Sequence, residues 1–90
     1  MSDPLFPLGH VVITSNARDV LDQRDVDEAL RRHTSGDWGD LGKEDRRAND
    51  LALVQGLRLF SAYNASSGAR FWVITEHDRS ATTILLPEDY

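Results

Sequence analysis

From Leu57 to Leu86 the chain passes through three runs rich in β-branched and aromatic residues: Leu57 to Tyr63, Arg70 to Glu76 and Ala81 to Leu86. Asn64-Ala-Ser-Ser-Gly68 and His77-Asp-Arg-Ser80 separate them, both short enough to be hairpin loops, so the pattern predicts an antiparallel three-stranded meander. Pro87 has no amide hydrogen for a ladder and ends the last strand. An earlier run, His10-Val-Val-Ile-Thr14, is short, β-branched and bounded by Gly9 and Ser15-Asn16, and reads as one more strand, pairing at an edge or beside the last strand.

Between these β segments the apolar positions recur at helical spacing. Ser15 or Asn16 can cap a stretch from Ala17 to Asp22. Asp25 and Glu28 then form a capping-box-like D-x-x-E, and Val26, Ala29, Leu30 and His33 follow at i, i+3, i+4 and i+7 up to the stop at Gly36. The two stretches are one bent helix or two short ones. Lys43 to Gln55 has acids in its first turn, no proline, and Gly56 at its end, as a helix should. Its apolar face is expected at Ala48, Leu51, Ala52 and Gln55, widened by Leu53 and Val54. The class is therefore α+β, with one N-terminal strand, two to three helices, and a meander packed on them. Leu59, Tyr63, Phe71, Val73, Ile84 and Leu86 should share a core with Val20, Leu30, Leu51 and Val54.

Ninety residues make one expected domain, residues 1–90, able to bury a modest core. The chain has no cysteine, which removes disulfides, thiolate zinc sites and cysteine nucleophiles. No apolar run approaches a membrane span, and Met1 to Gly9 lacks the pattern of a signal peptide, so a cytoplasmic protein with no membrane association is expected. The net charge is −5, and the acids are concentrated in the helical half. Phosphate neutralisation needs basic patches, so direct nucleic-acid binding is not expected, whereas a protein partner with a basic surface is.

Two polar clusters hold the candidate chemistry. Glu76-His77-Asp78-Arg79 is first of all a hairpin tip, in which Arg79 can pair with Glu76 or Asp78, and secondly a site. In the loop His33-Thr-Ser-Gly-Asp-Trp-Gly-Asp40, Trp38 stands between two glycines, either as a lid on the core or as an interface anchor. His33 is expected at a helix end, where a cation meets the negative end of the dipole. The three histidines have no metal-binding spacing, no calcium loop or phosphate-binding glycine motif occurs, and neither metal nor cofactor is expected. The hypothesis drawn from these clusters is one partner-binding rim with Trp38 as its anchor. It would comprise Asp37, Trp38 and Asp40 of the loop, Asn49 and Asp50 of the helix, and Glu76, Asp78 and Arg79 of the hairpin. No residue is assigned a catalytic role.

The segments P-L-F-P-L-G-H-V-V-I-T, R-H-T-S-G-D-W-G-D-L, E-D-R-R-A-N-D-L-A-L, G-L-R-L-F-S-A-Y and F-W-V-I-T-E-H-D-R-S-A-T-T-I-L-L-P-E-D-Y, with their G-D-W-G and W-x-I-T-E-x-D-R-S patterns, cover nearly the whole chain. Together they resemble a family of small bacterial proteins that recur on plasmids and integrative elements. The resemblance implies an accessory role, such as countering host restriction or CRISPR systems, or plasmid maintenance. A type I restriction modification subunit, as some members are labelled, does not fit: the chain has no N-P-P-[FYW] motif and is far shorter than a methyltransferase domain. The expected function is a non-enzymatic, protein-binding accessory factor, as a monomer or a homodimer. The alternative is a small RNase, because the element order resembles that of mRNA-cleaving toxins. That reading would use Arg58, Tyr63, Arg70, His77 and Arg79.

Overall fold

The computed structural model describes residues 3–90. Strand β1 (His10–Ile13) is followed by helices α1 (Ser15–Val20), α2 (Gln23–Thr34) and α3 (Lys43–Gln55). Strands β2 (Leu59–Asn64), β3 (Arg70–Thr75) and β4 (Ala81–Leu85) come next, and a 3-10 turn, Pro87–Asp89, closes the described chain. The sheet order is β1-β4-β3-β2, so the meander is antiparallel and β1 lies beside the last strand, at an edge and parallel to it. This is the expected α+β architecture, with a mixed sheet. Among the described residues no helix is long and apolar enough to cross a membrane.

The helical segment after β1 is two helices. Leu21 and Asp22 are extended between them, and each helix has its own side-chain cap. Thr14 Oγ1 accepts from the Ala17 amide at 3.2 Å, and Asp22 Oδ1 accepts from the Arg24 amide at 3.0 Å. The caps thus sit before the Ser15/Asn16 and Asp25 positions read from the sequence, because a cap needs extended backbone and the chain is already helical at those residues. Asp25 instead binds Ser66 of the β2–β3 hairpin through both its amide and its hydroxyl.

One sheet face packs on the helices. Leu59, Tyr63, Phe71, Val73, Ile84 and Leu86 are buried there, as the alternation predicts. Val26, Ala29 and His33 of α2 are buried and Leu30 is packed against the core. The α1 and α3 contributions differ from expectation. Val20 is half exposed, and Ala17 and Leu21 fill the core in its place. Helix α3 buries Asn49 and Ala52, with Leu53 packed beside them, and turns Leu51 and Val54 outward. The apolar residues of α3 therefore do not mark its buried face.

Candidate functional site

The inverted orientation of α3 follows from what lies beside it. β2 is an edge strand, and Phe60 and Ala62 present their main-chain groups away from β3. Covered by α3 and the loop without partners, such groups would cost about 1–3 kcal/mol each. The Asn49 side-chain amide meets Phe60 on both counts: its Nδ2 donates to the Phe60 carbonyl, and its Oδ1 accepts from the Phe60 amide at 3.0 Å. Two residues on, the loop after α2 does the same for Ala62. Ala62 N donates to Trp38 O at 3.1 Å and Asp40 N donates to Ala62 O at 2.7 Å. Gly39 sits between these bonds at φ +78, where an added Cβ would lie 2.0 Å from Ala62 O. Only glycine permits that approach.

Trp38 is consequently a core residue. It is 3% exposed, stacks at 6.3 Å on Phe6, meets the His33 ring edge to face at 5.7 Å, and donates its indole N–H to Asp50 Oδ1 at 3.0 Å. It offers a partner no surface, so the expected rim loses its anchor and Trp38 takes the role of a lid. Asn49 is buried and committed to the β2 edge. Asp37 and Asp40 are exposed, but each is engaged. Arg32 holds Asp37 in a two-pronged pair, and Arg70 binds Asp40 at 2.7 Å; both hydrogen bonds hold the carboxyls below the usual carboxylate range.

The hairpin tip is structural as well. Arg79 has φ 60, and its guanidinium donates to main-chain carbonyls, that of Glu76 among them, rather than to the carboxylates of Glu76 or Asp78. Its Nη1 reaches Leu57 O at 2.7 Å and its Nη2 reaches Ala52 O at 3.3 Å, which places a cation at the negative end of α3. The same group lies 5.6 Å over the Phe6 ring. Asp78 Oδ1 accepts from the Ser80 amide, and its two bonds from Ser80, side chain first, hold its pKa low. The loop, α3 and the hairpin do meet, as the rim hypothesis requires. They meet around buried Phe6, as a staple inside the fold rather than as an exposed rim. Asp50 and Asp78 remain as exposed carboxylates, and Glu76 is half-buried.

His33 belongs to a fully buried polar cluster with Ser61, Thr75 and Thr82. Its ring bonds β2 through Ser61 and β3 through Thr75, with Thr75 passing the chain on to Thr82 of β4. Thr82 Oγ1 donates to Leu8 O at 2.7 Å, so it accepts from Thr75 Oγ1 at 2.7 Å. Thr75 in turn accepts from His33 Nε2 at 2.9 Å, so the ring carries a proton on Nε2, and its Nδ1 lies 2.5 Å from Ser61 Oγ. A neutral ring therefore accepts from Ser61 at Nδ1, and burial favours the neutral form. Burial, with the Arg79 charge adding to it, lowers its pKa to about 4. This corrects the expectation of a cationic histidine at the helix end.

The residues of the RNase alternative are dispersed. Tyr63 faces the helices, with burial pushing its hydroxyl up to about 12 and its O–H donating to Asp37 O at 2.7 Å. Arg70 is paired with Asp40, Arg79 is held by carbonyls, and His77 stands exposed at the tip. Arg58 lies on the opposite side of the sheet, 5.9 Å over the Tyr90 ring.

Two apolar surfaces, one exposed and one partly so, were hidden in the sequence pattern. On α3, Leu51 and Val54 are 55% and 84% exposed, and Leu57 just beyond the helix is 50% exposed. At 100° per residue Leu51 and Val54 point away from Asn49 and Ala52, with Arg47 and Asp50 beside them. On the far face of the sheet, Phe60, Trp72 and Tyr90 interlock edge to face at 5.0 and 5.7 Å. A shallow groove of about 300 Å³ between Asp45, Ala48, Asn49, Arg58 and Phe60 adjoins them. A larger cavity, about 530 Å³, opens between α1, the β2–β3 hairpin and the C-terminal turn, lined by Asp19, Val20, Ala69 and Leu86 among others. Among the described residues, no group of three or more histidine and acidic side chains could hold a metal. No family model, curated protein or solved structure matches the chain.

Proposed function

We propose that this protein is a non-enzymatic accessory factor that binds another protein through the outward face of α3. The observation that carries the reading is the exposure of Leu51 and Val54 on a helix whose buried side is held by a polar clamp, with Leu57 exposed just beyond its end. Folding does not require large apolar residues at these positions, and contiguous exposed apolar surface is what partner-binding faces present. The net charge of −5 suits a partner whose apolar cleft lies in a basic surface. This replaces the Trp38 loop as contact surface and keeps Asp50 from the rim. The resemblance to proteins of plasmids and integrative elements supports the accessory role, with inhibition of a host restriction or CRISPR component as its sharpest form.

The test is a photo-cross-linking amino acid at Val54 in the native host, beside a control at Ser67 on the β2–β3 hairpin. A protein cross-linked from position 54 and not from 67 is expected. Its binding should be lost in a Leu51→Asp, Val54→Asp variant that keeps the wild-type fold. A partner captured equally by that variant would place the binding face elsewhere.

A further inference from the structure

The two edges of the sheet are treated differently. At β2 every outward main-chain group of Phe60 and Ala62 is met by Asn49, Trp38 or Asp40. At β1 nothing comparable occurs among the described residues. His10 N donates to Ser80 O at 2.9 Å and Thr14 N to Ile84 O at 3.0 Å, so these residues face β4. By the alternation of the parallel ladder, Val11 and Ile13 present their N–H and C=O groups to the open side. Val11 and Val12 are 44% and 43% exposed. Protected edges carry lysine, proline, a bulge or a covering element. His10–Ile13 contains no lysine or proline, and no described segment covers it.

We propose that β1 pairs antiparallel with β1 of a second copy about a two-fold axis, in a register centred on Val12. The occupant follows from the strand's self-complementarity. With Val12 opposite Val12 of the other copy, Val11 of each stands opposite Ile13 of the other, and the two residues exchange both main-chain bonds. All four free groups of each copy are then satisfied at once. The strand has no carboxylate, lysine or arginine, so no like charges are set against each other. The product is a continuous eight-stranded sheet with each closed β2 edge outermost. A strand of four residues covers far less than the roughly 800 Å² per partner of a permanent interface. The dimer is therefore concentration-dependent, and the net charge makes it tighter at higher salt.

Sedimentation equilibrium of the full chain over a wide concentration range tests this. A monomer–dimer equilibrium is expected, strengthened by salt. Val12→Lys places two ammonium groups at the axis, and Val11→Pro removes a donor used only between copies. Both side chains are solvent-exposed on an edge strand, so both variants should keep the wild-type circular dichroism and lose the dimer. The chain has no cysteine of its own, which permits a direct check of the register. Facing positions of the non-hydrogen-bonded type have Cα atoms about 4.5 Å apart, within disulfide range. Val12→Cys should therefore oxidise to a disulfide dimer at least tenfold faster than Ser67→Cys. A monomer at every concentration overturns the proposal and points the free edge toward a strand of another protein. A dimer indifferent to Val12→Lys and Val11→Pro also overturns it, as do equal oxidation rates for the two cysteine variants.

Discussion

Replacing His33 by glutamine should remove a specific part of the acid sensitivity of the fold. The wild-type imidazole is neutral inside the protein, with its pKa lowered from 6.5 to about 4, chiefly by burial. In the unfolded chain it protonates at its ordinary pKa, so between pH 6.5 and 4 the unfolded state binds more protons than the folded state. Stability must then rise with pH across that window. The contribution is fully present above pH 6.5 and is lost as the pH falls toward 4. Linkage over a shift of this size gives a loss of about 2 kcal/mol between pH 7 and 4.5, roughly half of it already at pH 5.5. Glutamine can accept from Ser61 and donate to Thr75 as the imidazole does, but it does not titrate. Urea unfolding followed by tryptophan fluorescence, at pH 7, 5.5 and 4.5, gives the two stability profiles. The wild type should lose about 2 kcal/mol more than His33→Gln over the window. The carboxylates held low by hydrogen bonds, among them Asp37, Asp40, Asp78 and Asp89, are common to both proteins and cancel in the comparison. Parallel profiles, or an imidazole that titrates by NMR near 6.5 in the folded protein, would refute the buried neutral assignment.

Trp38→Ala should cost about 3–5 kcal/mol, measured by thermal unfolding, because it empties a core site. In Asn49→Leu both outward groups of Phe60 are uncovered; a loss of about 2–4 kcal/mol is expected, with faster hydrogen exchange at the Phe60 amide. Leu51→Ala and Val54→Ala should each stay within about 0.5 kcal/mol of wild type in urea, whereas Ile84→Ala should cost about 2–5 kcal/mol. Equal costs would mean that α3 packs the other way round. Gly39→Ala puts a methyl group onto the Ala62 carbonyl at a positive φ and should lower the melting temperature by several degrees.

The element order and the buried face of the meander were legible in the sequence, because both rest on local rules. A strand exposes alternate residues to opposite sides, so Leu59, Tyr63, Phe71, Val73, Ile84 and Leu86 sort themselves without knowledge of their neighbours. The 3.6-residue period likewise placed Val26, Ala29, Leu30 and His33 on one side of α2. What the sequence could not reveal is which groups would be left wanting a partner after assembly. The main-chain groups of Phe60 and Ala62 need partners only because β2 lies at an edge, and that is known only once the strand order is known. That need turned Asn49 inward, Leu51 and Val54 outward, and drew Trp38 down beside β2, against the hydrophobic pattern of α3 itself. His33 lies on the predicted face, but its neutral state depends on Ser61 and Thr75 arriving from strands 28 and 42 residues away. Periodicity decides what a segment can bury; the unsatisfied hydrogen bonds of its neighbours decided what these segments buried.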